Sequence, residues 1–82
     1  MLKNKKFYIL TLGCQMNKND SERIAGFLSS FGLEETERPE EADILLINTC
    51  SVRQHAEQRV FSFVHNWNEF RKNKPNLIIG IT

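Results

Sequence analysis

Four aliphatic residues in succession, Ile44, Leu45, Leu46 and Ile47, run into a short polar turn at Asn48 and Thr49, followed by Cys50 and Ser51. An unbroken apolar run without alternation predicts a strand buried on both faces, as in a parallel sheet with helices above and below. Ser51 followed by Gln54 has the form of a capping box, so a helix is expected to open there. Behind it, Val52, Ala56, Val60, Phe63, Val64 and Trp67 recur at three- and four-residue spacing and predict one long helix. Pro75 disfavours helical geometry just before it, so that helix should fray near Asn73 and Lys74.

The rest of the chain repeats the alternation. Residues 7–12, Phe-Tyr-Ile-Leu-Thr-Leu, are aromatic and branched enough for a strand, which Gly13 and Cys14 end. A polar stretch from Gln15 to Ser21 leads into Ile24, Phe27, Leu28 and Phe31, the i, i+3, i+4, i+7 set of an amphipathic helix. That helix is expected from about Asn17 or Asn19 to Phe31, with Gly32 as the residue that closes it. Residues 33–37 form a weak, charged strand suited to a sheet edge, and Pro39 opens a single helical turn through Ala42. Residues 77–82 form a further buried-strand pattern.

Strand, helix, weak strand, strand, helix, strand implies parallel pairing. The expected fold is α/β: a three-layer open parallel sheet in the flavodoxin-like order 2-1-3-4, incomplete on its C-terminal side. This order sets the 7–12 strand beside the 44–47 strand. Cys14 and Cys50 then follow the carboxyl ends of neighbouring strands and share one rim, where open α/β sheets bind ligands. Cys50 also falls beside a helix N-terminus, where unpaired N–H groups and the dipole favour a thiolate.

Composition narrows the classes. Eighty-two residues make one small domain, and 11 basic against 10 acidic residues leave a net charge of +1. That balance shows no basic patch of the kind a dedicated nucleic-acid module carries. The apolar runs are strand-sized, so neither a signal peptide nor a membrane span is expected, and the setting is taken to be the cytoplasm. In a reducing compartment the two cysteines point to metal binding or catalysis rather than a structural disulfide, with two unrelated buried thiols as the plain alternative. Cluster and zinc sites want three or four ligands. The next rim position would fall just after Thr82, so a further ligand is expected there.

Gly13-Cys14-Gln15-Met16-Asn17 with Asp20-Ser21-Glu22, and Glu41-Ala42-Asp43 with Ile47-Asn48-Thr49-Cys50, Val52-Arg53 and Ala56-Glu57, resemble the two signatures of the N-terminal domain of radical-SAM methylthiotransferases. The match spans nearly the whole chain. Gln15-Met16-Asn17 is most like the branch that methylthiolates isopentenyladenosine in tRNA, the others acting on threonylcarbamoyladenosine in tRNA or on a ribosomal-protein aspartate. The resemblance implies an auxiliary [4Fe–4S] cluster held by three cysteines, Cys14, Cys50 and one beyond Thr82, with one iron left open to a sulfur donor. It implies a second [4Fe–4S] cluster and S-adenosylmethionine in a radical-SAM domain, and a separate RNA-binding domain, both elsewhere on the same polypeptide. One S-adenosylmethionine would methylate the sulfur, and a second would yield the radical that attacks adenine C2. Residues 1–82 are then an incomplete cluster domain, inert alone, with tRNA the substrate of the whole enzyme.

Asn17 and Asn48 flank the cysteines and could donate hydrogen bonds to cluster sulfurs, although turn and cap formation is the commoner work of asparagine. Arg53 and Glu57 are spaced for an i, i+4 pair. His55 and His65 lack ligand spacing to either cysteine. Phe61 and Phe70 fall off the main stripe and are expected to cover a sheet edge, with a surface that docks on the absent domain as the alternative. Two other functions stay open: a dithiol redox module, disfavoured by the lack of C-x-x-C, and a flavodoxin-like anion or nucleotide site, disfavoured because Gly13 stands alone.

Overall fold

The structure, a computed structural model, describes residues 5–12, 15–49 and 54–81, with the side chains of Gln15 and residues 54–57 left aside. Four strands, β1 (Lys6–Leu12), β2 (Glu34–Glu35), β3 (Ile44–Thr49) and β4 (Ile78–Ile81), form one all-parallel sheet in the order β2-β1-β3-β4. Helix α1 (Gln15–Ser30) joins β1 to β2, and α2 (Gln54–Asn68) joins β3 to β4. This is the 2-1-3-4 topology the element order predicts.

The pleat sorts the side chains. Tyr8, Leu10 and Leu12 of β1 stand in register with Leu45, Ile47 and Thr49 of β3, and Ile79 of β4 with Leu45. This face packs on Val60, Phe63, Val64 and Trp67 of α2, the apolar stripe read from the sequence. Trp67 meets Tyr8 edge-on at 6.0 Å between ring centroids, a geometry that the ring quadrupoles favour. The opposite face presents Ile9, Thr11 and Asn48, and α1 is bonded to it through Ser21 and Asn17. Helices on opposite faces make the three layers. Phe7, Leu45 and Ile47 are wholly buried.

Helix α1 ends as its glycine predicts. Gly32 adopts φ 94°. Its N–H bonds to the Ser29 carbonyl at 3.0 Å and the Leu33 N–H to the Leu28 carbonyl at 3.4 Å. These are the paired closures of a Schellman motif, and Leu33 then turns into the core. The start of α1 at Gln15 is two residues earlier than the first start expected from sequence. The turn at Pro39–Glu41 is a 3₁₀ helix with the proline in its first positions, as expected.

Three expectations need correction. Phe27 and Phe31, assigned to the buried stripe of α1, are 64% and 55% exposed and meet each other edge-on. The residues turned to the sheet are instead Asn17, Ser21, Ile24, Ala25 and Leu28, so the buried face begins polar and the apolar positions alone misjudge its direction. The end of α2 is as expected: at Asn68 it passes into a 3₁₀ segment, Glu69–Lys72, capped by Asn73. There the Asn73 N–H takes the Phe70 carbonyl, a closure that satisfies the last carbonyls of a fraying end. Strand β4, read as buried, lies at the sheet edge with Ile78 and Ile81 more than half exposed. Phe61 is exposed and covers no edge, whereas Phe70 packs against the core.

The amino ends of the strands are stitched by Asp43. Its carboxylate accepts from the Lys6 N–H at 2.9 Å, its own N–H bonds the Lys6 carbonyl at 2.7 Å, and its carbonyl accepts from Ile78 at 3.1 Å. One residue thus fixes the start of three neighbouring strands.

Candidate functional site

The carboxyl ends of β1 and β3 form the rim that the sequence singles out. The two strands pair in parallel over six residues, closing on Thr11↔Asn48 and Leu12↔Thr49. Cys14 directly precedes α1 in the chain and Cys50 directly follows β3. Both cysteines lie outside the described residues, as do Ser51 of the capping box, Arg53 and the side chain of Glu57. The structure therefore places β1 and β3 side by side and pointing the same way, with Cys14 and Cys50 following their carboxyl ends in the chain.

Asn17 and Asn48 are both buried. The Asn48 side-chain amide donates to the Asn17 backbone carbonyl at 2.9 Å and to the Ser21 hydroxyl at 3.0 Å, while its oxygen faces the Asn17 amide nitrogen at a long 3.5 Å. Ser21 in turn shares a 2.7 Å hydrogen bond with Thr11. A side-chain amide has two hydrogens to donate, and those of Asn48 have two protein acceptors here. The two asparagines expected to flank the cysteines are brought together, and each binds the other's residue.

Thr11 and Ser21 belong to this network and were missed as site residues in the sequence. The available signal was periodic: Asn17 and Ser21 are four residues apart, which on a helix is one face, and that face is aimed at a sheet. A cleft of about 310 Å³ lined by Ile9, Thr11, Lys18, Ser21, Glu22 and Ala25 opens beside the two hydroxyls. Another, of about 350 Å³, lies at the amino ends of the strands against Asp43, Ile44, Pro75 and Ile78, away from the rim.

Among the described residues no three His, Cys, Asp or Glu side chains are grouped as a metal site. His65 is exposed, in keeping with its lack of ligand spacing. No described helix is long and apolar enough to cross a membrane.

Comparison with known proteins gives the chain a family. Residues 6–82 match a family model described as uncharacterized protein family UPF0004. A protein of Haemophilus influenzae (strain PittEE), named tRNA-2-methylthio-N(6)-dimethylallyladenosine synthase, is 54% identical over 78 residues, covering 94% of this chain and 16% of that protein. A relative of the same name in Dictyoglomus thermophilum is 53% identical over 76 residues, covering 93% of this chain and 17% of its own length. A third, in Actinobacillus pleuropneumoniae serotype 5b, is 53% identical over 77 residues. The chain spans about one sixth of the length of these relatives.

Proposed function

The chain belongs to the UPF0004 family, and from that premise we propose that it is the N-terminal, cluster-binding domain of a tRNA methylthiotransferase. The whole enzyme inserts sulfur and a methyl group at C2 of isopentenyladenosine in tRNA, the activity that the names of its relatives describe. One observation carries the reading. Two adjacent parallel strands end in register at Leu12 and Thr49, and a cysteine stands within two residues of each end. Sulfur ligands carried by neighbouring strand ends suit a shared centre, whereas thiols scattered through a core would not recur at one rim.

The donor set fits an auxiliary [4Fe–4S] cluster. Cys14 and Cys50 would hold it together with a third cysteine beyond Thr82, because thiolates are the soft anionic ligands that cluster iron prefers. A cluster held by those three cysteines would supply an open iron position for a sulfur donor. The protein's own part is to present the thiolates on a fixed rim. The second cluster and S-adenosylmethionine belong to the radical-SAM portion of the full polypeptide. With two thiolates, residues 1–82 fall short of a cluster's ligand count and are inert alone. The setting is cytoplasmic.

The test is anaerobic reconstitution with iron and sulfide of a chain extended past Thr82. The expected product is brown, with broad visible absorption, and either Cys14→Ala or Cys50→Ala abolishes the colour. A colourless protein that forms a reversible Cys14–Cys50 disulfide would sink the cluster and favour a redox module instead.

A further inference from the structure

The buried contacts at the rim reach beyond the cysteines. We propose that Thr11, Ser21 and Asn48 are positioning residues that lock α1 lengthwise against the ends of β1 and β3, and so set the separation of the two cysteine-bearing segments. The inference rests on the cluster-binding reading. Each member sits on an element adjoining a cysteine: Thr11 one residue from the end of β1, Ser21 in the second turn of α1, Asn48 one residue from the end of β3. Residues 13 and 14 are the whole connection between β1 and α1. Cys14 is therefore attached at both sides to elements the network ties, by Thr11 to Ser21 at 2.7 Å and by Ser21 to Asn48 at 3.0 Å. Cys50 follows the strand that carries the hub.

The residue types argue for position over stability. Apolar side chains of similar shape would hold α1 on the sheet about as well, since paired polar groups contribute little net stability over apolar replacements. Apolar packing, however, tolerates a helix sliding along its axis. Hydrogen bonds of fixed length and direction do not, and a buried network specifies one arrangement. The α2 face of the same sheet is held by Leu, Ile, Val and Trp with no such network among the described residues. The polar tie is placed where α1 meets the two strand ends.

The test uses the full-length polypeptide, reconstituted anaerobically, with iron retention against a chelator measured relative to Cys14→Ala so that only iron held through this rim is counted. Thr11→Val and Ser21→Ala remove the hydroxyls. Each is expected to lose that iron at least about tenfold faster, the lower end of what removing outer-shell support costs a metal site. Thr11→Ser and Ser21→Thr, which restore a hydroxyl, are expected to retain it as the parent does. Melting temperatures of the iron-free variants serve as the control. The cleft beside Thr11 lets water take a lost partner's place, so Thr11→Val should melt close to the parent even if Ser21→Ala does not. Parent-like iron retention in both hydroxyl-deleted variants overturns the inference while leaving the cluster intact. A parent that takes up no iron through Cys14 overturns the cluster reading, and this inference with it.

Discussion

Gly32 and Gly80 are glycines for different reasons, and substitution separates them. Gly32 holds φ 94° at the close of α1, a conformation that costs other residues about 1–2 kcal/mol. Gly32→Ala is therefore expected to destabilise by about 1 kcal/mol, and Gly32→Asn by less, in urea titrations of the folded chain. A Cβ built on Gly80 would lie 2.9 Å from Leu46 Cδ2, its register partner on β3. The obstructing atom is the tip of a flexible side chain, so Gly80→Ala should cost under about 1 kcal/mol, while Gly80→Leu forces repacking at about 1–3 kcal/mol. Charge matters less. Glu69 lies below the usual carboxylate range because Lys72 hydrogen-bonds it at 2.8 Å and adds its positive charge, and Lys72 is raised by the same contact. The glutamate's share is present above the ordinary carboxylate pKa and lost as pH falls through its lowered value. The lysine's share is present below the ordinary lysine pKa and lost as pH rises through its raised one. Both side chains stand in water, so Glu69→Gln should leave the melting temperature nearly unchanged, with any difference gone at ~1 M salt.

Among the elements, α2 was the most legible and α1 the least. Val60, Phe63, Val64 and Trp67 are all inward in the structure, because that face is apolar throughout its described length and hydropathy alone can find it. Trp67→Ala is expected to cost about 3–5 kcal/mol, lowering the urea midpoint, since it leaves Tyr8 and Phe63 facing a void. In α1 the inward face is led by Asn17 and Ser21, which a search for apolar positions discards, so Phe27 and Phe31 were drawn into a stripe they do not occupy. The sheet order was legible from alternation, and the edge character of residues 33–37 from their charges. The exposure of β4 was not, because an apolar run looks the same whether or not a neighbour lies beside it. At the rim, cysteines announce themselves by type. Thr11 and Ser21 do not, being ordinary strand and helix residues until the fold sets them 2.7 Å apart.

For the molecule as a whole, a net charge of +1 sets the strength of its long-range field. Affinity for nucleic acid scales with the number of phosphates neutralised, and so balanced a surface neutralises few. The 82-residue chain is expected to leave tRNA unretarded in a gel-shift assay at physiological salt. The two margins of the sheet also differ in kind. On one side β2 displays Glu34 and Glu35, and on the other β4 displays Ile78 and Ile81. Carboxylates repel an approaching backbone, while bare isoleucines welcome one. The two margins thus differ in what they offer a neighbouring backbone: the glutamate margin discourages pairing, and the isoleucine margin leaves it open.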